Sequence, residues 1–147
     1  MRIKEGEELA RDIKERTIKI KGMIDSIKER SPLVVEEYRV KLKERVEELL
    51  NNEYKIDEGK LENEVVFYAD RSNITEEIIR FYSHISQLLD CLNSEEIVGR
   101  KLDFLIQEMN REVNTIGSKS SDIFIGKTVV EIKSELEKIR EQIQNIE

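Results

Sequence analysis

Apolar residues recur along this chain at intervals of three and four, the period of a helix that buries one face. From about Lys4 to Arg30, Leu9, Ile13, Ile20, Met23 and Ile27 share a face, with Arg16 in a slot suited to an apolar side chain. Ser31-Pro32 predicts a stop and a restart, since serine caps a helix and proline at its first position already has the required φ. Glu36 and Glu37 then suit the positive end of a second helix. That helix is expected to reach about Leu50 and to bury Val35, Leu42, Val46 and Leu49. Polar residues from Asn51 to Asp57 read as a loop, and Asp57 can cap a third helix that carries Leu61, Val65, Tyr68 and Ala69. Asn73 followed by Glu76 is a helix-start signal, and Asn93 followed by Glu96 repeats it. The fourth helix is expected to bury Ile78, Tyr82, Ile85, Leu89 and Leu92, and the fifth Leu102, Ile106, Met109, Val113 and Ile116. Gly117 to Ser121 is a break.

The last segment has the most regular pattern. Ile125, Val129, Ile132, Leu136, Ile139, Ile143 and Ile146 alternate spacings of four and three, a heptad seam that needs a partner helix. The first helix and a second copy of the chain both qualify. With no strand-like alternation of any length, the expected fold is all-α. It is an antiparallel helical bundle with long helices and a heptad-seamed C-terminal helix, one domain over residues 1–147.

Composition narrows the possibilities. A chain of 147 residues with 39% charged side chains, 5% aromatics and one proline suits long helices with narrow apolar stripes. The single cysteine, Cys91, excludes an internal disulfide and every zinc motif built on cysteines, and is expected to sit half-buried on a helix. No signal peptide and no apolar run of membrane-spanning length is evident, so the expected compartment is the cytoplasm. A net charge of −7 is the wrong sign for general nucleic-acid binding. It leaves room for a local basic face, or for metal ions held by carboxylates.

Two polar stretches differ from ordinary helix surface. Glu77, Arg80, His84 and Gln87 are spaced three, four and three, which places them on one side of the fourth helix. His84 is the only histidine, and histidine is the side-chain type that exchanges protons near neutral pH. Its ordinary role would be packing or solvent contact. The second stretch, Gln107 to Thr115, replaces the usual Glu and Lys with Gln, Asn and Thr, which are mediocre helix formers. Asp103, Gln107, Asn110 and Asn114 share one side there, and Glu108, Arg111, Glu112 and Thr115 broaden it. Gly117-Ser118-Lys119-Ser120 closes the stretch with small donors and a cation, without the glycine spacing of a P-loop.

The segment GRKLDFLIQEMNREVNTIGSKS, Gly99 to Ser120, closely resembles the signature of the YicC-type endoribonuclease family. Glu131 to Glu147 resembles that family's C-terminus, Glu62 to Ile85 the segment before the signature, and EGEEL, Glu5 to Leu9, a mid-chain motif. The matching identities are polar and specific: Gln107, Glu108, Asn110, Arg111, Glu112, Asn114, Ser118 and Lys119. Family members are about twice as long, so the chain resembles their C-terminal half. The N-terminal half, which the resemblance implies is a separate domain with strands and a role in assembly, has no counterpart here. One position departs: Asn73 stands where the family usually has Asp. Either caps a helix equally well, and a metal-ligand role for that Asp would not carry over to Asn73 unchanged.

The resemblance implies metal-assisted cleavage of single-stranded RNA by a ring-like homo-oligomer, a hexamer in full-length form. On that basis Glu77, His84 and Glu108 are candidate catalytic residues. Glu64, Glu77, Glu108 and Glu112 are candidate ligands for Mg or Mn, since oxygen donors suit hard cations. Arg80, Arg100, Arg111, Asn114 and Lys119 are candidate RNA contacts. Two routes are open, a metal-activated water and a 2′-hydroxyl attack assisted by His84, and only the second yields a cyclic phosphate. A different class of function also fits: a helical oligomerisation and RNA-holding module without chemistry of its own. A plain coiled-coil adaptor would explain the last helix but not the composition of Gln107 to Thr115.

Overall fold

The computed structural model describes residues 2–97 and 99–145, with five helices and no strand among them. These are α1 (Arg2–Leu50), α2 (Glu58–Arg71), α3 (Thr75–Leu92), α4 (Gly99–Lys119) and α5 (Ile123–Gln144). The N-terminal part of α1 joins α3, α4 and α5 in a ring of four antiparallel helices, packed α1–α3–α4–α5 and closed by α5 against α1. The core is largely aliphatic, with Ile13, Ile20, Ile24, Ile27, Phe81, Leu102, Met109, Ile116, Ile132 and Ile139 all wholly or almost wholly buried. No helix among the described residues is long and apolar enough to cross a membrane.

The expected stop at Ser31-Pro32 is corrected: α1 is continuous from Arg2 to Leu50 with Pro32 inside it. A proline there lacks the N–H owed to the preceding turn and costs about 3 kcal/mol. Contacts on both sides of it hold the helix on course. Arg30 reaches over the proline to Glu37 with two hydrogen bonds of 2.7 and 2.8 Å, and to Asp122 of the bundle at 2.9 and 3.1 Å. Val34 still packs against the core, and beyond it α1 leaves the bundle and pairs with α2 as an antiparallel arm. Leu61 and Val65 are buried there, Tyr38 stacks on Tyr68 at 3.8 Å, and Arg39 bonds Glu62 at 2.9 Å. Four residues expected to be buried in this part fare worse, because only one helix covers them: Val35, Leu42 and Val46 are half-buried and Leu49 is exposed. Asn51 and Asn52 turn the chain at φ 53° and 61°, a left-handed conformation that asparagine tolerates.

The helix starts were partly foreseen. Asp57 caps α2 by accepting from Lys60 N at 3.1 Å, and Asn73 Oδ1 accepts from Thr75 N at 2.9 Å to open α3. Asn93, expected to start the next helix, instead ends α3, its N–H bonded to Leu89 O at 3.1 Å. Helix α4 begins at Gly99 and runs through Gly117 to Lys119, shortening the expected break. Gly117 lets α4 approach α5 closely, since a Cβ there would lie 3.2 Å from Val129 Cγ1.

The seam of α5 is buried from Ile125 to Ile143, and Ile146 lies outside the described residues. Its partners are α1 and α4 of the same chain, so of the two candidates the first helix is correct and a second copy is not required. Arg16 is explained by the same contact. It donates to Glu135 of α5 at 3.0 Å, and Lys19 does so at 3.3 Å. Burial opposes the charge on Glu135, but these bonds outweigh it and hold the carboxyl below its ordinary range. Cys91 is half-buried, as expected.

Candidate active site on the α3–α4 flank

Helices α3 and α4 pack side by side in opposite directions, and their facing edges collect most of the singled-out residues. Lys119 Nζ donates to Glu77 Oε1 at 2.8 Å and to the Asn73 carbonyl at 3.2 Å. One turn further along α3, Arg80 lies 3.6 Å from Glu112 Oε2 and bonds Glu76 of its own helix at 2.7 Å. Another step of four along each helix, in opposite directions, brings His84 level with Glu108. Glu108 is in turn 3.9 Å from Arg111.

Glu77 was expected on a polar surface and is buried instead, with 5% of its surface exposed. Periodicity misplaces it because it adjoins Ile78 and Phe81 on the face that meets α4. Burial disfavours its charge, but the Lys119 ammonium and a backbone N–H more than compensate, and its carboxyl stays below the ordinary glutamate range. Its second oxygen, Oε2, is buried without a partner. Glu112 is equally buried, at 4% exposure, beside Arg80. His84 is half-buried, and its Nδ1 is enclosed without a hydrogen-bond partner.

The remaining candidates do not join this cluster. Arg100, Arg111 and Asn114 lie exposed on the outer side of α4. Glu64 is exposed on α2, which packs on the distal part of α1. The expected ligand set of Glu64, Glu77, Glu108 and Glu112 is therefore not assembled. Among the described residues no three His, Cys, Asp or Glu side chains converge on a point where an ion could sit. The physical reason is pairing: Glu77 and Glu112 are buried against Lys119 and Arg80, which already satisfy their charge. Donors held in this way do not fit a divalent ion bound by this chain alone.

Sequence reasoning missed one feature. Phe104 is 58% exposed, although Leu102, Leu105, Ile106 and Met109 around it are buried. The signal was present, because 104 falls off the apolar stripe and in line with Arg100, Gln107 and Arg111.

What this arrangement offers is a flank that carries an imidazole, two partly exposed cations and carboxylates. That is chemistry suited to a phosphodiester. The family model described as endoribonuclease YicC-like, C-terminal, matches residues 27–147. The probable endoribonuclease YicC of Clostridioides difficile (strain 630) is 60% identical over 147 residues, which cover 100% of this chain and 50% of that protein. The probable endoribonuclease YicC of Haemophilus influenzae is 38% identical over the same 147 residues, again 100% of this chain and 50% of the relative. The chain spans about half the length of the curated relatives it matches. It belongs to the family of YicC-like endoribonuclease C-terminal domains.

Proposed function

We propose that this chain is the C-terminal helical half of an endoribonuclease that cleaves single-stranded RNA, and that the α3–α4 flank supplies reacting groups. The observation that carries the reading is His84, whose enclosed Nδ1 has no partner while its neighbours along the flank are Arg80 and, level with it, Glu108. Histidine is the side-chain type whose chemistry suits proton transfer near neutral pH, and His84 is the only histidine in the sequence. On this reading His84 moves the proton when an RNA 2′-oxygen attacks the adjacent phosphorus. The P–O5′ bond breaks, the 5′-oxygen takes up a proton, and the products are a 2′,3′-cyclic phosphate and a 5′-hydroxyl. Arg80 and Lys119 stabilise the negative charge that gathers on the phosphate oxygens.

A Mg or Mn ion, which the family resemblance implies, finds no complete donor set here, and no step is assigned to one. Assembly into a ring of copies is part of the proposal for the full-length protein. It draws on the resemblance and no longer on the seam of α5, which the chain buries itself. The alternative of an RNA-holding module without chemistry draws on a different observation, the engagement of Glu77 and Glu112 in ion pairs that a purely structural flank would also have.

The test is a cleavage assay on single-stranded RNA with this chain and with a full-length relative, with and without chelator. Cyclic-phosphate ends that form in the presence of chelator and vanish with His84→Ala support the reading. Cleavage by the full-length relative that survives His84→Ala and both Glu77→Gln and Glu108→Gln overturns it and moves the chemistry to the other half.

A further inference from the structure

We propose that Phe104 is a base-stacking platform for single-stranded RNA, flanked by phosphate contacts from Arg100 and Arg111. The proposal deepens the reading above and rests on it for the identity of the ligand. Arg100, Phe104, Gln107, Arg111, Asn114 and Ser118 follow spacings of four and three along the outer side of α4, and every one of them is exposed. The chain carries a net charge of −7, yet this stripe holds two arginines and no carboxylate. Arg100 has no ion pair among the described residues, and Arg111 meets Glu108 only at 3.9 Å. From Arg100 to Arg111 the stripe runs eleven residues, about 16 Å of helix, with the phenylalanine between the two cations.

Folding does not account for the aromatic ring. At 58% exposure it gains little from burial, and phenylalanine is a poorer helix former than the Lys and Glu that fill other surfaces of this chain. A protein partner is the other kind of ligand an exposed aromatic attracts. Such an interface needs a contiguous apolar patch, whereas Phe104 is the single apolar member of a stripe of Arg, Gln, Asn and Ser. An aromatic face interleaved with cations and amides is what a flexible polynucleotide uses. Bases stack on the ring whatever their identity, and guanidinium groups track the backbone. Gln107 donates to Asp103 at 2.9 Å, which leaves its amide oxygen free toward a base edge.

The test uses the chain itself, a fluorescein-labelled single-stranded RNA oligonucleotide read by anisotropy at low salt, and a second oligonucleotide containing 2-aminopurine, whose emission is quenched on stacking. Phe104→Ala should weaken binding about 5- to 150-fold and relieve the quenching. Phe104→Trp should retain both, and Phe104→Leu, apolar but without a π face, should behave like the alanine variant. Arg111→Ala should weaken binding and reduce the salt dependence by about one phosphate contact. If Phe104→Ala binds and quenches as the parent does while Arg111→Ala binds less well, RNA lies on this face but Phe104 does not stack. Retention of binding and quenching by Phe104→Leu, or loss of both with Phe104→Trp, would likewise overturn stacking. If the parent chain fails to bind RNA at low salt, both this proposal and RNA holding by this half are overturned.

Discussion

Replacing Lys119 with Met isolates the main electrostatic contact between α3 and α4. Methionine keeps much of the lysine stem's packing and removes only the charge. It leaves Glu77, whose side chain is 6% exposed, without the ammonium 2.8 Å away. Removing one partner of a fully buried pair costs about 3–5 kcal/mol. Here the lysine side chain is 37% exposed, so water already screens one side of the pair, and the cost falls to about 2–3 kcal/mol. For a domain of this size that is a fall in Tm of about 4–12 °C. The pH dependence gives a sharper test. In the parent the Glu77 carboxyl titrates below its unfolded value. The stability it confers is therefore present above the ordinary carboxylate range and is lost as pH falls through the folded value. Without Lys119, burial is opposed only by a backbone N–H and the more distant Arg80, and the folded carboxyl titrates higher than it does in the parent. Acidification then weakens the variant less than it weakens the parent. Urea denaturation followed by circular dichroism, at neutral pH and again at about pH 4, should show the gap between the two proteins narrowing. Lys119→Met combined with Glu77→Gln should recover more than half of the loss. A cost under about 0.5 kcal/mol, or a gap that stays constant with pH, would refute the reasoning and show that Glu77 is hydrated.

Three further outcomes are expected. His84→Ala in a full-length relative should lower cleavage by about 10²–10⁴-fold with RNA affinity unchanged; rates equal to the parent's would reduce His84 to a packing residue. Ile139→Ala, at a fully buried seam position, should cost about 2–5 kcal/mol in urea denaturation. Because its partners are α1 and α4 of the same chain, that cost should be the same at low and high protein concentration. Pro32→Ala should stabilise the chain by up to about 3 kcal/mol by restoring a helical hydrogen bond in α1; a loss of stability would mean that the proline helps to set the direction of the arm.

Positions whose environment is fixed by period alone were legible in the sequence. Ile125 to Ile143 on α5 and Leu102 to Ile116 on α4 are buried as their spacing requires, Asp57 caps α2 as its side-chain chemistry allows, and Asn73, one residue before the Ile74 cap, still bonds the first turn of α3. What was not legible depended on residues distant in sequence. Nothing local indicates that Arg30 would be bonded to Asp122, 92 positions away, and so help to carry a helix through Pro32. The burial of Glu77 follows from Lys119, 42 positions later, arriving from α4. The apparent misfit of Arg16 in an apolar stripe is resolved by Glu135, 119 positions later. A helical wheel records what leaves the surface but not which opposite charge arrives to meet it. For the same reason the four glutamates proposed as metal ligands looked equivalent in sequence, and only their neighbours separate them.

Helix α1 belongs to two bodies at once. Its 49 residues form a rod about 74 Å long, gripped by the bundle over one part and free of it over the other. Arg30 sits where the grip ends, tied to Glu37 on the free side and to Asp122, whose carboxylate also caps the start of α5 by accepting from Ile125 N at 3.1 Å. That geometry makes Arg30 the pivot of the free part of the rod. From Arg30 to the tip at Leu50 the lever is about 30 Å long, so a tilt of about 5° sweeps the tip through roughly 2–3 Å.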